Sequence, residues 1–424
     1  MIVHSIDHLE LTPFHIAIWA ISVSSILLVL TRPKGIAEAW WAGGGAIVLI
    51  ATRLITPSAA LHAVAKGADV YLFLVGMMIM SELARREGVF DWIAAHAVQA
   101  SKGSRTRLFV LIYLVGTLVT IFLSNDATAV VLTPAVLAAV QTAEADALPY
   151  LLICAFIANA ASFLLPISNP ANLVVFGGGM PSLFKWLMSF GLPSLASILV
   201  TFLVLRWLAR NHLKGSMKDS AEKRPLSPTG RMALAGIAFL AIVLMVASAF
   251  NVDLGAPAFA SGVLVCAIIA FRDHRVIKDI GVHISWAVVP LVAGLFIIVE
   301  ALNSAGALTA AVQGLHQLEK TGGVTSSLGS SFGVALISNL MNNLPSGLIA
   351  GAAVKTAHSS HLIQSAVLIG VDLGPNLSVS GSLATILWLI AIRREGQDVK
   401  FFTFLKWGIA VMPPALAAAV LLLR

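Results

Sequence analysis

Leu123-Ser-Asn-Asp-Ala-Thr-Ala-Val-Val-Leu-Thr-Pro134 sets two strongly polar side chains, Asn125 and Asp126, in the middle of a long apolar run. A carboxylate at such a depth is costly unless it is paired, protonated or facing water, so an intramembrane acid is a functional candidate by default. A second stretch, Ser338-Asn-Leu-Met-Asn-Asn-Leu-Pro345, says something similar two hundred residues later. Working outward, the surroundings are apolar enough to make depth the right word. The 424 residues are 58% hydrophobic and 11% charged, with a mean hydropathy of +0.92. A soluble domain carries roughly 25% charged residues, so the composition is that of a polytopic membrane protein.

Helices are the expected spans, because barrel strands alternate and would not give long unbroken apolar runs. The net charge of +7 would suggest nucleic acid in a soluble chain; here it fits cytoplasmic loops, and no nucleic acid is expected. Cys154 and Cys266 are the only cysteines and both lie in apolar segments, which excludes a disulfide framework and a thiolate metal site. His358 and His361 have helical spacing but no nearby acid, so no metal is expected there. The N-terminus lacks a basic segment followed by a small-residue cleavage site, so no removable signal peptide is expected.

Runs of spanning length, about 20 residues, fall at 13–30, 39–55, 68–84, 150–176, 184–208, 232–250, 256–271, 284–302, 361–392 and 401–423. That makes ten. Two further apolar stretches, 107–140 and 324–354, behave differently. After Pro345 about ten residues remain before Lys355, a helix of roughly 15 Å, or half a bilayer. The second stretch is therefore expected to be a re-entrant hairpin with its tip at 339–345. The first, whose return arm makes about 20 Å, is expected to be a hairpin by analogy.

With hairpins returning to the side they enter and both termini outside, 21 of the 27 basic residues fall on the cytoplasmic side. Such a bias is strong enough to set orientation. The halves also repeat. Glu82 precedes Gly88 by the same interval as Glu300 precedes Gly306, and Gly88 to Asn125 matches Gly306 to Asn343. Each half then holds five spans, one of them interrupted, and a hairpin. Five is odd, so the halves are expected to run in opposite directions, which is the inverted-repeat plan of secondary transporters. The expected divisions are 1–210 (hairpin 107–140, broken helix 150–176), a cytoplasmic linker at 211–230, and 231–424 (hairpin 324–354, broken helix 361–392).

Transporter sites lie where helices break near the midplane, because unwound backbone and half-helix ends can bind polar cargo. Four breaks are expected. They are the tip 124–128, the segment 157–172 with Pro166 and Pro170, the tip 339–346, and 370–382 with Gly374 and Pro375. Simpler roles compete. Asn125 or Asp126 could cap the returning helix, and the asparagines could bond only to exposed backbone. Glu82 has Arg85 and Arg86 beside it for a local ion pair, whereas Glu300 has no basic neighbour in its helix. No Gly-rich loop ending in Gly-Lys-Ser/Thr is present, so direct ATP drive is not encoded, and no cofactor is expected.

At these four breaks the chain resembles the arsenite efflux permeases, the membrane component of arsenical pumps in the ion transporter superfamily. The resemblance rests on Asn-Asp-Ala-Thr-Ala-Val-Val-Leu-Thr-Pro (125–134), Ser-Asn-Pro-Ala-Asn-Leu-Val (168–174), Met-Asn-Asn-Leu-Pro (341–345), and Asp-Leu-Gly-Pro-Asn (372–376) leading to Gly-Ser-Leu-Ala-Thr-Ile-Leu-Trp (381–388). It extends over essentially the whole chain. Some members carry Asp in place of Asn159 and Lys in place of Asn376. The resemblance implies export of arsenite and antimonite, as neutral trihydroxy molecules, across a bacterial inner membrane with protons moving inward. It also leaves room for a cytoplasmic ATPase subunit.

Amides and hydroxyls can offer each hydroxyl of such a cargo a donor and an acceptor, whereas thiolate capture would need three close cysteines. The expected cargo residues are Asn125, Asn172, Asn342, Asn343, Asn376, Ser168 and Ser380, with Asp126 and Asp372 as proton-linked carboxylates. Ser124, Thr128, Asn159, Asn169, Asn339 and Glu300 are secondary candidates. The rival expectations are a sodium/proton antiporter or anion transporter of the same superfamily, an intramembrane aspartyl enzyme, and a passive channel.

Overall fold

The computed structural model describes residues 12–177, 179–218 and 225–423. Lys223, Arg224 and Arg424, counted in the charge bias, and the middle of the 211–230 linker lie outside the described residues. The first half runs through α1 (Pro13–Thr31), α2 (Glu38–Ala51), α3 (Pro57–Lys66), α4 (Ala68–Arg86), α5 (Val89–Ser101), α6 (Arg105–Phe122), α7 (Thr133–Thr142), α8 (Leu148–Ala160), α9 (Pro170–Phe176) and α10 (Leu183–Ala209). The second half repeats that order. It comprises α11 (Pro228–Ala249), α12 (Gly255–Ala270), α13 (Arg275–His283), α14 (Val288–Ser304), α15 (Ala307–Glu319), α16 (Gly323–Met341), α17 (Asn343–Thr356), α18 (His361–Leu373), α19 (Leu383–Arg394) and α20 (Phe401–Leu421).

Among the described residues, seven helical stretches are long and apolar enough to cross a membrane, or eight if α3 and α4, bent by 49°, form one span. The protein is an all-helical, multi-pass membrane protein. Two of the seven are α6 and α16, the first arms of the two expected hairpins, so length alone does not separate an arm from a span.

The second hairpin differs from expectation in its return arm. The helix does not wait for Pro345; α17 begins at Asn343 and runs 14 residues, about 21 Å. Proline is tolerated in the first turn because its missing N–H would have no helical partner there. The arm is still shorter than a bilayer core of about 30 Å.

Packing between the halves is reciprocal: α4 lies on α12, and α2 lies on α14. Glycine makes both crossings close. A Cβ on Gly76 would meet the Phe259 backbone nitrogen at 2.6 Å, and one on Gly294 would meet the Ala42 carbonyl oxygen at 2.8 Å. Small residues let membrane helices approach where no hydrophobic drive between helices exists. Gly76 and Gly294 are separated by the same interval as Gly88 and Gly306. Those last two start α5 and α15 at positive φ, 71° and 91°, which glycine adopts without steric cost.

At the end of α4, Arg86 reaches Asp273 at 2.5 Å and Asp279 at 2.8 Å, tying α13 to α4. On the other face of the repeat, Lys66 reaches Glu300 at 3.2 Å.

Candidate functional site

At the first tip, the side chains of Ser124 and Asn125 serve the returning chain. Ser124 Oγ accepts from the Ala127 N–H at 3.1 Å, and Asn125 Oδ1 accepts from the Asp126 N–H at 2.9 Å. These are donors a helix start otherwise leaves orphaned. Pro134 has no N–H to give, and the chain ahead of it winds as a π turn, Ala127–Leu132. Thr133 Oγ1 donates to the Thr128 carbonyl at 3.0 Å within that turn. Single π turns concentrate at functional sites.

The second tip uses Asn342, which accepts from the Leu344 N–H at 3.3 Å. Its φ of 75° and ψ of 154° lie in backbone space mostly reserved for glycine, a strain that persists only where the surroundings hold it. The two arms of each hairpin are strapped by paired hydroxyls. Thr120 and Thr128 lie 2.8 Å apart, and Ser338 and Ser346 lie 2.7 Å apart at the equivalent positions.

The two broken helices meet in a buried polar network. α8 stops at Ala160 and the chain resumes regular helix only at Pro170, with a short turn at Pro166–Ser168 between. Several of the carbonyls freed at this break find side-chain donors. Asn376 Nδ2 serves Phe156 at 3.0 Å, Ser197 Oγ serves Ala160 at 2.9 Å, and Asn172 Nδ2 serves Ser162 at 3.0 Å. α18 stops before Gly374 and Pro375, and α19 starts at a capping box formed by Ser382 and Thr385. Gly374 permits close contact, since a Cβ there would lie 2.5 Å from Ala335 Cα.

Across the interface, Asp372 Oδ1 accepts from Asn169 Nδ2 at 2.9 Å, and Asn159 Nδ2 donates to Asn376 Oδ1 at 3.0 Å. Ser162 Oγ lies 2.8 Å from both Asp372 Oδ2 and the Asn159 carbonyl oxygen. One hydroxyl proton serves two acceptors only as a weaker, three-centre bond. The count closes when Ser162 donates to the carbonyl and a proton on the Asp372 carboxyl donates to Ser162. Asp372, Asn159, Ser162 and Asn376 are 0% exposed, and among the described residues no basic side chain pairs with Asp372.

Asp126 is placed differently. It is half-buried, and among the described residues its carboxylate has neither a hydrogen-bond donor nor a basic partner. It lines a cavity of about 90 Å³ walled by Met77 and Glu82 of α4, Ser124 of the tip, His283 and Ser285 at the α13–α14 junction, and Leu383 of α19. A water needs only about 10–15 Å³, so the space admits several waters or one small solute. It extends from the tip to the end of α4 where Glu82 accepts from Arg85 at 2.5 and 2.7 Å. No lysine or arginine lines it.

The sequence-predicted residues therefore separate into groups. Ser124 and Asp126 share the cavity. Asn159, Asn169, Asp372 and Asn376 share the buried network, away from open space. Asn339 and Ser380 meet each other beside a second groove, where Ser380 Oγ donates to the Asn339 carbonyl at 3.1 Å. Asn125 and Asn342 cap, Asn172 holds backbone, Ser168 donates to the Ile121 carbonyl at 2.9 Å, and Thr128 pairs with Thr120. Asn343 is buried, and its amide makes no hydrogen bond among the described residues.

The expected ring of amides around one cargo space is not what these side chains form. Most of them are occupied by the polar backbone that the breaks expose, because an unpaired buried carbonyl or N–H costs as much as a lost hydrogen bond. Glu300 is engaged by Lys66 from another helix, a partner invisible within its own segment. Asp126 and Asp372 share no hydrogen bond, so no acid dyad is present. Ser162, Glu82 and His283 were missed as site residues. Ser162 had a signal, a hydroxyl in an apolar run beside a proline-marked break; His283 had none.

Known proteins agree with this architecture. The arsenical pump membrane protein of Escherichia coli (strain K12) is 29% identical over 94% of this chain and 95% of its own length. The protein of the same name from Yersinia enterocolitica is 28% identical with the same coverage. The crystal structure of the Alcanivorax borkumensis YdaH transporter superposes with a TM-score of 0.57 at 15% identity, over 86% of each chain. The last shows a shared fold. The citrate transporter family (CitMHS) matches residues 26–392. The chain is thus a multi-pass transporter of a bacterial inner membrane, not an enzyme, and it belongs to the CitMHS family.

Proposed function

We propose that the protein exports arsenite and antimonite as neutral trihydroxy molecules, coupled to inward proton movement. The observation that carries the proposal is Asp126, an acid without a partner at a hairpin tip, facing a small cavity that reaches the basic end of α4. An open carboxyl can take up and release a proton as the cavity changes sides; a paired one cannot do so freely. Relatives named arsenical pump membrane protein match nearly end to end. Cys154 and Cys266 sit on separate helices, α8 and α12, so the cargo is held by oxygen and nitrogen groups and not by thiolates.

In this proposal ten spans cross the membrane in two inverted halves with both termini outside, and the cavity opens to the cytoplasm. Ser124 and Asp126 meet the cargo first. Asn125, Asn172, Asn342, Asn343, Asn376, Ser168 and Ser380 become cargo ligands when the tips and breaks rearrange, and Asp372 is the second proton-linked carboxyl. A polycarboxylate such as citrate would call for cationic side chains. The cavity lining offers no lysine or arginine, which favours a neutral cargo over the anion-transporter alternative.

Arsenite uptake into everted membrane vesicles energised by respiration, with and without an uncoupler, tests the proposal. Uptake that the uncoupler removes is expected, and Asp126→Asn should abolish the coupled uptake while binding survives. Sodium-stimulated, electrogenic movement of citrate in place of arsenite uptake would overturn the cargo, and uncoupler-insensitive flux would make the protein a channel.

A further inference from the structure

We infer that the groove between α1, the second hairpin tip and the second broken helix is a binding site for one anionic phospholipid. The groove encloses about 720 Å³. Its walls are Leu27 and Leu30 of α1, Ile386 and Ile390 of α19, Leu340 of the hairpin and Phe401 of α20. Leu340 is 71% exposed, an apolar side chain next to the polar tip with no protein cover.

The groove is not apolar throughout. Arg32, which follows the last turn of α1, and Arg393, in the last turn of α19, also line it. Each already faces a carboxylate: Arg32 Nε lies 3.0 Å from Glu38 without forming a hydrogen bond, and Arg393 Nε donates to Asp398 at 2.7 Å. Among the described residues the terminal guanidinium nitrogens of both make no hydrogen bond. Two such forks above an apolar trough match a phosphodiester joined to acyl chains, because guanidinium groups donate to phosphate oxygens in pairs. Basic pockets between spanning helices bind the head groups of anionic lipids in this way.

A zwitterionic lipid would carry its own ammonium to the same arginines and gain less. Inside the groove the acyl chain runs to Asn339, Leu340 and Ser380. Ser380 Oγ donates to the Asn339 carbonyl, and Asn339 Nδ2 donates to the carbonyls of Ala335 and Gly374, which leaves the apolar edge of the tip for the lipid. A bound lipid therefore fills the space between α1 and the moving parts of the second half without competing for the cavity at Asp126.

Native mass spectrometry of the purified full chain, titrated with phosphatidylglycerol or phosphatidylcholine, tests the inference. One phosphatidylglycerol per chain is expected to bind in preference to phosphatidylcholine. Each arginine near an anionic head group is worth about fivefold, so Arg32→Gln with Arg393→Gln should weaken that binding roughly thirtyfold. Leu340→Trp, which fills the trough and leaves both arginines, should also reduce it. Equal affinity for the two lipids, unchanged phosphatidylglycerol affinity in the double variant, or a second copy of the chain bound in place of lipid would overturn the inference. If the double variant does not fold, an undiminished affinity in Leu340→Trp overturns it as well.

Discussion

Asp372→Asn is the substitution that the hydrogen-bond count at the broken helices predicts most sharply. An asparagine amide can copy a protonated carboxyl: its oxygen accepts from Asn169 Nδ2 as Asp372 Oδ1 does at 2.9 Å, and its nitrogen donates to Ser162 Oγ. Ser162 then continues to donate to the Asn159 carbonyl. No existing buried group loses a partner, but the amide's second N–H is added without one, so a cost of about 1 kcal/mol is expected. Asp372→Leu has a similar volume but strands Asn169 Nδ2 in a fully buried site, at about 1–3 kcal/mol. Asn169→Ala removes the same bond and also the cap that Asn169 Oδ1 gives the Ala171 N–H at 3.0 Å, a further loss of about 0.5–2 kcal/mol. The expected order of thermal stability in detergent is wild type, then Asp372→Asn slightly below it, then Asp372→Leu, then Asn169→Ala. Infrared spectroscopy should show a protonated carboxyl band that Asp372→Asn removes. A strongly destabilised Asp372→Asn, or the absence of that band, would refute the neutral-acid count. A stable Asp372→Asn that still couples arsenite export to protons would leave the count standing and remove Asp372 from the proposed coupling.

Gly408 lets α20 lie on the second broken helix: a Cβ there would sit 2.6 Å from the Asn376 carbonyl oxygen and nearer still to that of Leu377. Gly408→Ala should cost about 1–3 kcal/mol and slow transport by displacing Asn376, while Gly333→Ala, with open space around it, should be neutral or slightly stabilising in a thermal unfolding assay. The hydrogen bond from Arg86 holds the Asp273 carboxyl below its ordinary value of 3.8. Because the folded value is depressed, its contribution is present above pH 3.8 and is lost as the pH falls through the lower folded value. Asp273→Asn should therefore loosen α13, seen as faster amide exchange over 275–283 at neutral pH, and the difference from wild type should shrink in acid. In vesicles, Asp126→Asn is expected to lose uncoupler-sensitive uptake and retain arsenite binding; full coupled uptake would contradict the role given to Asp126.

Much of this molecule is written in the chain itself. Hydropathy decides that the protein lies in a bilayer, because backbone polar groups there must be satisfied within helices. Prolines set among asparagines and glycines mark the breaks at Pro166, Pro170, Gly374 and Pro375, whereas Pro193, Pro413 and Pro414 lie inside continuous helices. The recurrence of Glu82 and Gly88 in Glu300 and Gly306 marks a repeated order of elements. These are local properties, fixed by what a residue can do with its own backbone.

Tertiary structure decided what the polar residues do. A sequence presents Asn125, Asn172 and Asn376 as similar amides in apolar runs. Only packing shows that one caps a helix, one holds the carbonyls of its own break, and one serves Phe156 from the other half of the chain. Asp126 and Asp372 likewise look alike until their surroundings are seen. One is left open because the hairpin tip stops short of neighbouring donors, and the other is enclosed by Ser162 and Asn169 from two hundred residues away. A hydrogen bond depends on distance and direction in space, and separation along the chain carries neither.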